Sequence, residues 1–219
     1  MKTFEELKED LLEWAKKHHA CQDGYRMGLN AKSKKDLLEA ITSNWFWVFR
    51  TSKMIDANYL EDNFSEEELS EAGIYTRKEH ASNTRAFACG SATVKAYGSA
   101  TVEAYDSATV EACDFATVKA YGSATVKAYG SATVEAYGSA TVEACGSATV
   151  EACGSATVKA YDSAKVEAYG SAKVEAYDNS YVEDCTGNIN TVSDHGIVKD
   201  YYNHKIYIKK GKFEIIEIE

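Results

Sequence analysis

The chain contains no proline at all. That absence fits a fold dominated by continuous hydrogen-bonded strands, where each proline would delete a ladder bond. No stretch approaches the roughly 18 consecutive apolar residues of a membrane-spanning helix, so no membrane partner is expected. The opening MKTFEELKED carries acids where a secretion signal needs a basic stretch and an apolar run, and a cytoplasmic location is expected. With no such signal, the 6 cysteines are expected to stay as thiols in a reducing compartment. Positive charge is also scarce. The net charge is −10, which argues against direct nucleic-acid binding because that partner is itself an anion.

Chemistry-bearing motifs are equally thin. His18, His19 and Cys21 are the one close group of soft ligands, and no zinc spacing accompanies them. Asp194-His195-Gly196 resembles part of a catalytic dyad, but no nucleophile motif goes with it. The many glycines recur every eight residues instead of preceding a helix, so they form no phosphate loop. The expectation is a non-enzyme with no catalytic residues, no metal and no cofactor.

What the chain does have falls into three parts: an N-terminal segment over 1–80, a repeat over 82–201 and a tail over 202–219. Phe4, Leu7, Leu11 and Trp14 recur at helical spacing, predicting an amphipathic helix over 2–20. Two glycines predict a loop from Cys21 to Asn30. A second helix is expected after Ser33, running through Leu37, Leu38, Ile41, Trp45, Phe46 and Phe49. Ser65 and Glu68 form a capping-box pattern for a short helix that Gly73 would stop. The first part therefore reads as a helical cap domain. Trp45 to Phe49 is apolar on every side, which fits either a buried helix or a contact with another surface.

From residue 82 an eight-residue unit takes over: Gly/Asp-Ser-Ala-Thr-Val-Lys/Glu-Ala-Tyr/Cys. Intact copies start at 90, 98 and 106, and again from 122 through 170; decayed copies flank the run. Strand side chains alternate between faces, and a Lys/Glu column cannot occupy a dry interior. Ala-Val-Ala must then point inward. One such strand cannot bury its inner face alone, so the copies are expected to stack into a β-solenoid. The charged position decides how many octads make a coil, because like charges directly stacked are unfavourable. Two octads per coil give the column Lys95, Glu111, Lys127, Glu143, Lys159, Glu175, which alternates without a break; three per coil give no alternation. The fold expected is mainly β, a two-sheeted solenoid of 16-residue coils with a helical N-terminal cap. KIYIKKGKFEIIEIE, from Lys205, reads as a β-hairpin that covers the other end.

The second column then contains Glu103, Lys119, Glu135, Glu151, Glu167 and Glu183, relieved by Lys119 and by Lys165 beside it. This acidic stripe is the candidate partner-binding surface. Phe115 joins the candidates because it replaces the Ser found in every other intact octad; it reads as a corner-packing residue or as an apolar contact on a partner or a second copy. Cys113 and Cys145 share a column two coils apart, as do Cys153 and Cys185. Their separation of roughly 9–10 Å on the rung spacing exceeds disulfide reach.

The GSATVEAY unit over about 82–185 resembles octapeptide-repeat proteins of phages and prophages of gut bacteria. Architecturally it is similar to pentapeptide-repeat β-solenoids, some of which imitate DNA, although its period differs and it lacks their central Leu/Phe. The resemblance implies a phage-encoded protein acting on a host macromolecule, for instance as an inhibitor of antiviral defence. A protein partner is expected, and a homodimer is compatible with the pattern. Alternative readings are a nucleic-acid mimic, and a structural or ice-binding-like solenoid using its threonine columns.

Overall fold

The computed structural model describes residues 1–51, 55–193 and 195–208. Among these, six helices come first: α1 (Phe4–Lys17), α2 (Gln22–Asn30), α3 (Lys34–Ser43), α4 (Trp45–Thr51), α5 (Ala57–Asn63) and α6 (Glu66–Glu71). Then come β1 (Ile74–Tyr75), β2 (Glu79–Ser82), β3 (Arg85–Ala88), β4 (Thr93–Ala96), β5 (Thr101–Ala104), β6 (Thr109–Ala112), β7 (Thr117–Ala120), β8 (Thr125–Ala128) and β9 (Thr133–Ala136). They are followed by β10 (Thr141–Ala144), β11 (Thr149–Ala152), β12 (Thr157–Ala160), β13 (Lys165–Ala168), β14 (Lys173–Ala176), β15 (Tyr181–Asp184), β16 (Ile189–Val192), β17 (Ile197–Asp200) and β18 (Lys205–Ile208).

Successive strands alternate between two sheets. Odd-numbered strands from β1 to β17, plus β18, form a ten-stranded sheet; the even-numbered strands β2 to β16 form an eight-stranded one. Each strand pairs in parallel with the strand two further on, as in Thr141 with Thr157 and Glu143 with Lys159. The repeat is therefore two octads per coil, as the charge column predicts. Ala140, Val142 and Ala144 have no exposed surface, and their counterparts from Ala92 through Ala168 are buried in the same way. Interdigitated Ala and Val from both sheets fill the interior, so coils are held by the apolar seam and by ladder hydrogen bonds together.

The corners explain why Gly and Asp interchange at the first octad position. That residue has left-handed backbone, with φ of 70° at Gly154 and 58° at Asp106. Glycine adopts this conformation freely, and Asp tolerates it better than most residues. Asp adds a bond that glycine lacks, because its carboxylate reaches back one coil. Asp162 Oδ2 accepts from Gly146 N–H at 2.8 Å, and Asp114 Oδ2 accepts from Gly98 N–H at 3.0 Å. A Cβ added at Gly154 would lie 3.2 Å from the nitrogen and 3.3 Å from the oxygen of Gly138. Gly154→Val, β-branched and left-handed, should therefore cost on the order of 2–3 kcal/mol. Gly154→Asp should stay within about 1 kcal/mol of the parent, by analogy with the other Asp corners. Guanidinium unfolding of the two variants measures the difference, and equal midpoints would refute this account of the corner.

The helical region departs from the sequence reading in three places. Cys21–Asn30 is not a loop: Cys21 caps α2, its sulfur accepting from Gly24 N–H. The glycines serve approach, since a Cβ at Gly24 would meet Asn44 Oδ1 at 3.0 Å. The helix expected from Ser33 to Phe49 is broken at Asn44, whose side chain donates to Ala40 O at 2.9 Å, so α3 and α4 are separate. α5 was not anticipated; Asp56 caps it, accepting from Tyr59 N–H at 2.8 Å. The expected capping box is present, with Ser65 and Glu68 bonding each other's backbone N–H.

The helices do more than cover the end of the solenoid. Their buried core, built on Leu7, Leu37, Leu38, Trp45 and Leu60, continues into Phe87, Cys89 and Tyr105 of the first coils. Trp45 lies 4.7 Å from the Phe87 ring and Phe49 5.6 Å from Tyr105, centroid to centroid. α4 thus lies along one edge of the coils.

At the far end, buried polar side chains replace alanine. Asp184 and Asp200 stack on adjacent rungs at the seventh octad position. Asp184 Oδ1 accepts from the N–H and hydroxyl of Thr186, and the two Asp200 oxygens accept from Asn203. Burial opposes charge on Asp200, but the bonds from Asn203 outweigh it and hold its carboxyl below the usual range. These bonds turn the chain out of the octad pattern. β18 then pairs antiparallel with β17, so the observed hairpin joins β17 to β18. The second half of the hairpin expected within the tail, 209–219, lies outside the described residues.

Candidate functional site

Two outward columns define each face. The fourth octad position supplies a threonine ladder, and the sixth supplies the charged one. On the eight-stranded sheet Lys95, Glu111, Lys127, Glu143, Lys159 and Glu175 stand in direct register. Signs alternate at every step, so each charge between Lys95 and Glu175 faces an opposite one above and below, while the two end members face Ala81 and Thr191 on their outer sides.

The ten-stranded sheet differs. Glu103, Lys119, Glu135, Glu151, Glu167 and Glu183 form one column on β5 through β15. Arg85 bridges to Glu103 at 3.0 Å and Lys119 to Glu135 at 3.0 Å; the contact with Glu135 raises the pKa of Lys119. Beyond that pair the alternation stops. Glu135, Glu151, Glu167 and Glu183 follow one another with no cation between them in the column, until Lys199 stands opposite Glu183 on β17. Lys165 sits in the neighbouring column between Thr149 and Tyr181, where it softens the local field.

The eighth octad position completes the site, and its side faces outward. Tyr137 donates its phenol hydrogen to Glu135 at 3.0 Å and Tyr169 to Glu167 at 2.9 Å; Tyr181, at the fourth position of its octad, donates to Glu183 at 3.0 Å from the other side. The bond to Glu167 pushes the Tyr169 phenol up to about 12, so it remains a donor across the physiological range. The donors orient carboxylates without neutralising them. Cys153 takes the tyrosine position beside Glu151, with a weak sulfur contact of 3.8 Å, and Glu151 is the most openly presented acid of the run together with Glu167. All six cysteines are free.

The structure thus brings together six of the seven candidate residues. Phe115 does not join them. It is 69% exposed at a corner between β6 and β7, flanked on its edge by Tyr97 and Tyr129, which are 43% and 41% exposed. Sequence reasoning missed the tyrosine clamps and the closing Lys199. The Glu-Ala-Tyr spacing of two is the signal for the clamps at Tyr137 and Tyr169, but it puts both side chains on one face only if strand parity survives the corner, which the sequence does not decide.

Other candidates are dispersed. His18 packs on Trp14 at 5.3 Å, and His80 stacks on Tyr75 at 4.3 Å with its Nε2 2.9 Å from Arg77 O. No group of three or more His, Cys, Asp or Glu side chains converges among the described residues. Asp194 lies outside them. No helix among them is long and apolar enough to cross a membrane. Compared with family models, curated proteins and solved structures, the chain matches none.

Proposed function

We propose that the protein is a non-enzymatic interaction module whose ten-stranded face binds a basic surface of a partner protein. One observation carries this reading: the same repeat neutralises itself on one face and leaves four glutamates in register on the other. Stacked like charges cost stability, and the eight-stranded sheet demonstrates that this repeat accommodates the alternative. A stripe of oriented carboxylates on a flat, rigid sheet favours a Lys/Arg-rich partner by complementarity and by steering its approach. The resemblance to phage octapeptide-repeat proteins supplies a setting, a host protein such as a component of antiviral defence.

Stability and binding should separate in Glu151→Lys. Restoring the alternation from Glu135 to Glu167 should stabilise the fold by about 0.5–1 kcal/mol, read from unfolding midpoints. The same substitution should weaken capture of the partner by at least about tenfold, or about 1.4 kcal/mol, in a pull-down from host lysate quantified against the parent chain. A variant that is more stable yet retains every parent contact would refute the acidic face as the binding surface.

A further inference from the structure

The outer face of the eight-stranded sheet has a property that the acidic face lacks. Its ladder Lys95, Glu111, Lys127, Glu143, Lys159, Glu175 is alternating and even in number. Reversed end for end, every Lys lands where a Glu stood. Now place a two-fold axis in the plane of that face, along the strand direction, between β8 and β10. It reverses the order of rungs and keeps the position along each strand, so ladder faces ladder. Lys127 then opposes Glu143 of a second copy, Glu111 opposes Lys159, and Lys95 opposes Glu175. All six contacts have opposite sign. The equivalent operation on the other face sets Glu135 against Glu151 and repels a copy.

The centre of this ladder is also uncommitted. Within the chain, Lys95 pairs with Glu79 at 2.8 Å, and Lys159 approaches Glu175 at 4.0 Å. Glu111, Lys127 and Glu143 make no close ion pair among the described residues. The corners along one margin of the same face carry Tyr97, Phe115 and Tyr129, the most exposed aromatic side chains of the octads from 90 to 177. The two-fold brings Phe115 to the Tyr161 corner of the copy, which gives this one break in the repeat a neighbour.

From this symmetry we infer that the protein forms a two-fold antiparallel dimer through its eight-stranded face. The interface is isologous, the commonest kind in homo-oligomers. Six rungs about 4.8 Å apart, each about 13 Å wide, with the aromatic margin added, fall at the low end of specific interfaces. Dissociation is accordingly in the micromolar range and sensitive to salt. The dimer leaves both acidic faces outward on opposite sides, which makes it bivalent towards its partner.

The test is sedimentation or light scattering of the full chain from micromolar to near-millimolar concentration. Wild type should approach twice its 24.0 kDa mass. Lys127→Glu and Glu143→Lys should each remain single chains, because each sets like charges across the axis twice. Mixed in equal amounts, they should form a dimer, since each then meets its opposite. The double variant Lys127→Glu/Glu143→Lys should also dimerise, although it places Glu beside Glu and Lys beside Lys within the ladder; that outcome separates contact between copies from support within the coil. Circular dichroism reports whether each variant keeps its sheet. A wild type that stays a single chain throughout overturns the inference, as do single variants that dimerise like wild type or a mixture that stays monomeric.

Discussion

Val142→Asp should split the rod. Val142 lies on β10 near the middle of the solenoid with no exposed surface, in an interior that offers a carboxylate neither water nor a cation. An unpaired charge in such a site costs several kcal/mol, whether it is kept or neutralised. Each coil touches only its neighbours, so one unfavourable coil uncouples the stack at that point. Denaturant unfolding followed by circular dichroism should turn from one transition into two, with the half beyond β10 melting first because it lacks the helical cap. The adjacent outward change Glu143→Gln should move stability by no more than about 0.5 kcal/mol. A single unshifted transition in Val142→Asp would mean that the interior is wet, and the packing argument would fall.

Trp45→Ala should be nearly as damaging, for a different reason. Trp45 is 1% exposed and packs, with tilted rings, against Phe49 at 4.1 Å and Phe87 at 4.7 Å. One side chain thus belongs to both the helical core and the first coil. Truncation should cost about 3–5 kcal/mol. It should also loosen the cap from strand edges that invite pairing between chains. Aggregation at micromolar concentration, followed by light scattering on heating, is the expected readout, and Trp45→Phe should recover most of the loss. A variant that loses stability yet scatters no more than wild type would show that the cap is not what shields the end.

The two regions differ in how far they can be read from sequence. In the repeat, one pattern is stated ten times over, and each copy obeys the same local rules. Inward Ala-Val-Ala follows from period two and from the cost of burying Lys or Glu, and the coil length follows from a single variable position. The helical region has no such redundancy. Gly24 and Gly28 read locally as loop formers, yet in α2 they allow close approach to Asn44 and Leu12. Asn44 sits in an unbroken apolar pattern and still ends α3, because its side chain competes for the Ala40 carbonyl. These outcomes depend on neighbours far away in sequence.

The candidate site was legible for the same reason as the coil. Once the sixteen-residue period is known, Glu103 through Glu183 must stack, and so must Lys95 through Glu175. The tyrosine hydroxyls were not legible, because a phenol reaches the carboxylate two residues back only if the strand stays flat up to its corner. Nor was the bridging of Asp corners from coil to coil, which requires adjacent turns to lie directly over one another.

By itself, then, the sequence determined which side chains face in, how many residues make a coil, and which charges share a column. Those are consequences of periodicity and desolvation acting on neighbours within a strand or one rung away. Tertiary structure alone decided that α4 lies along a solenoid edge with Trp45 on Phe87, that phenols orient the acidic stripe, and that Phe115 stands apart from it. Those depend on side-chain reach between segments whose separation in space no local rule encodes.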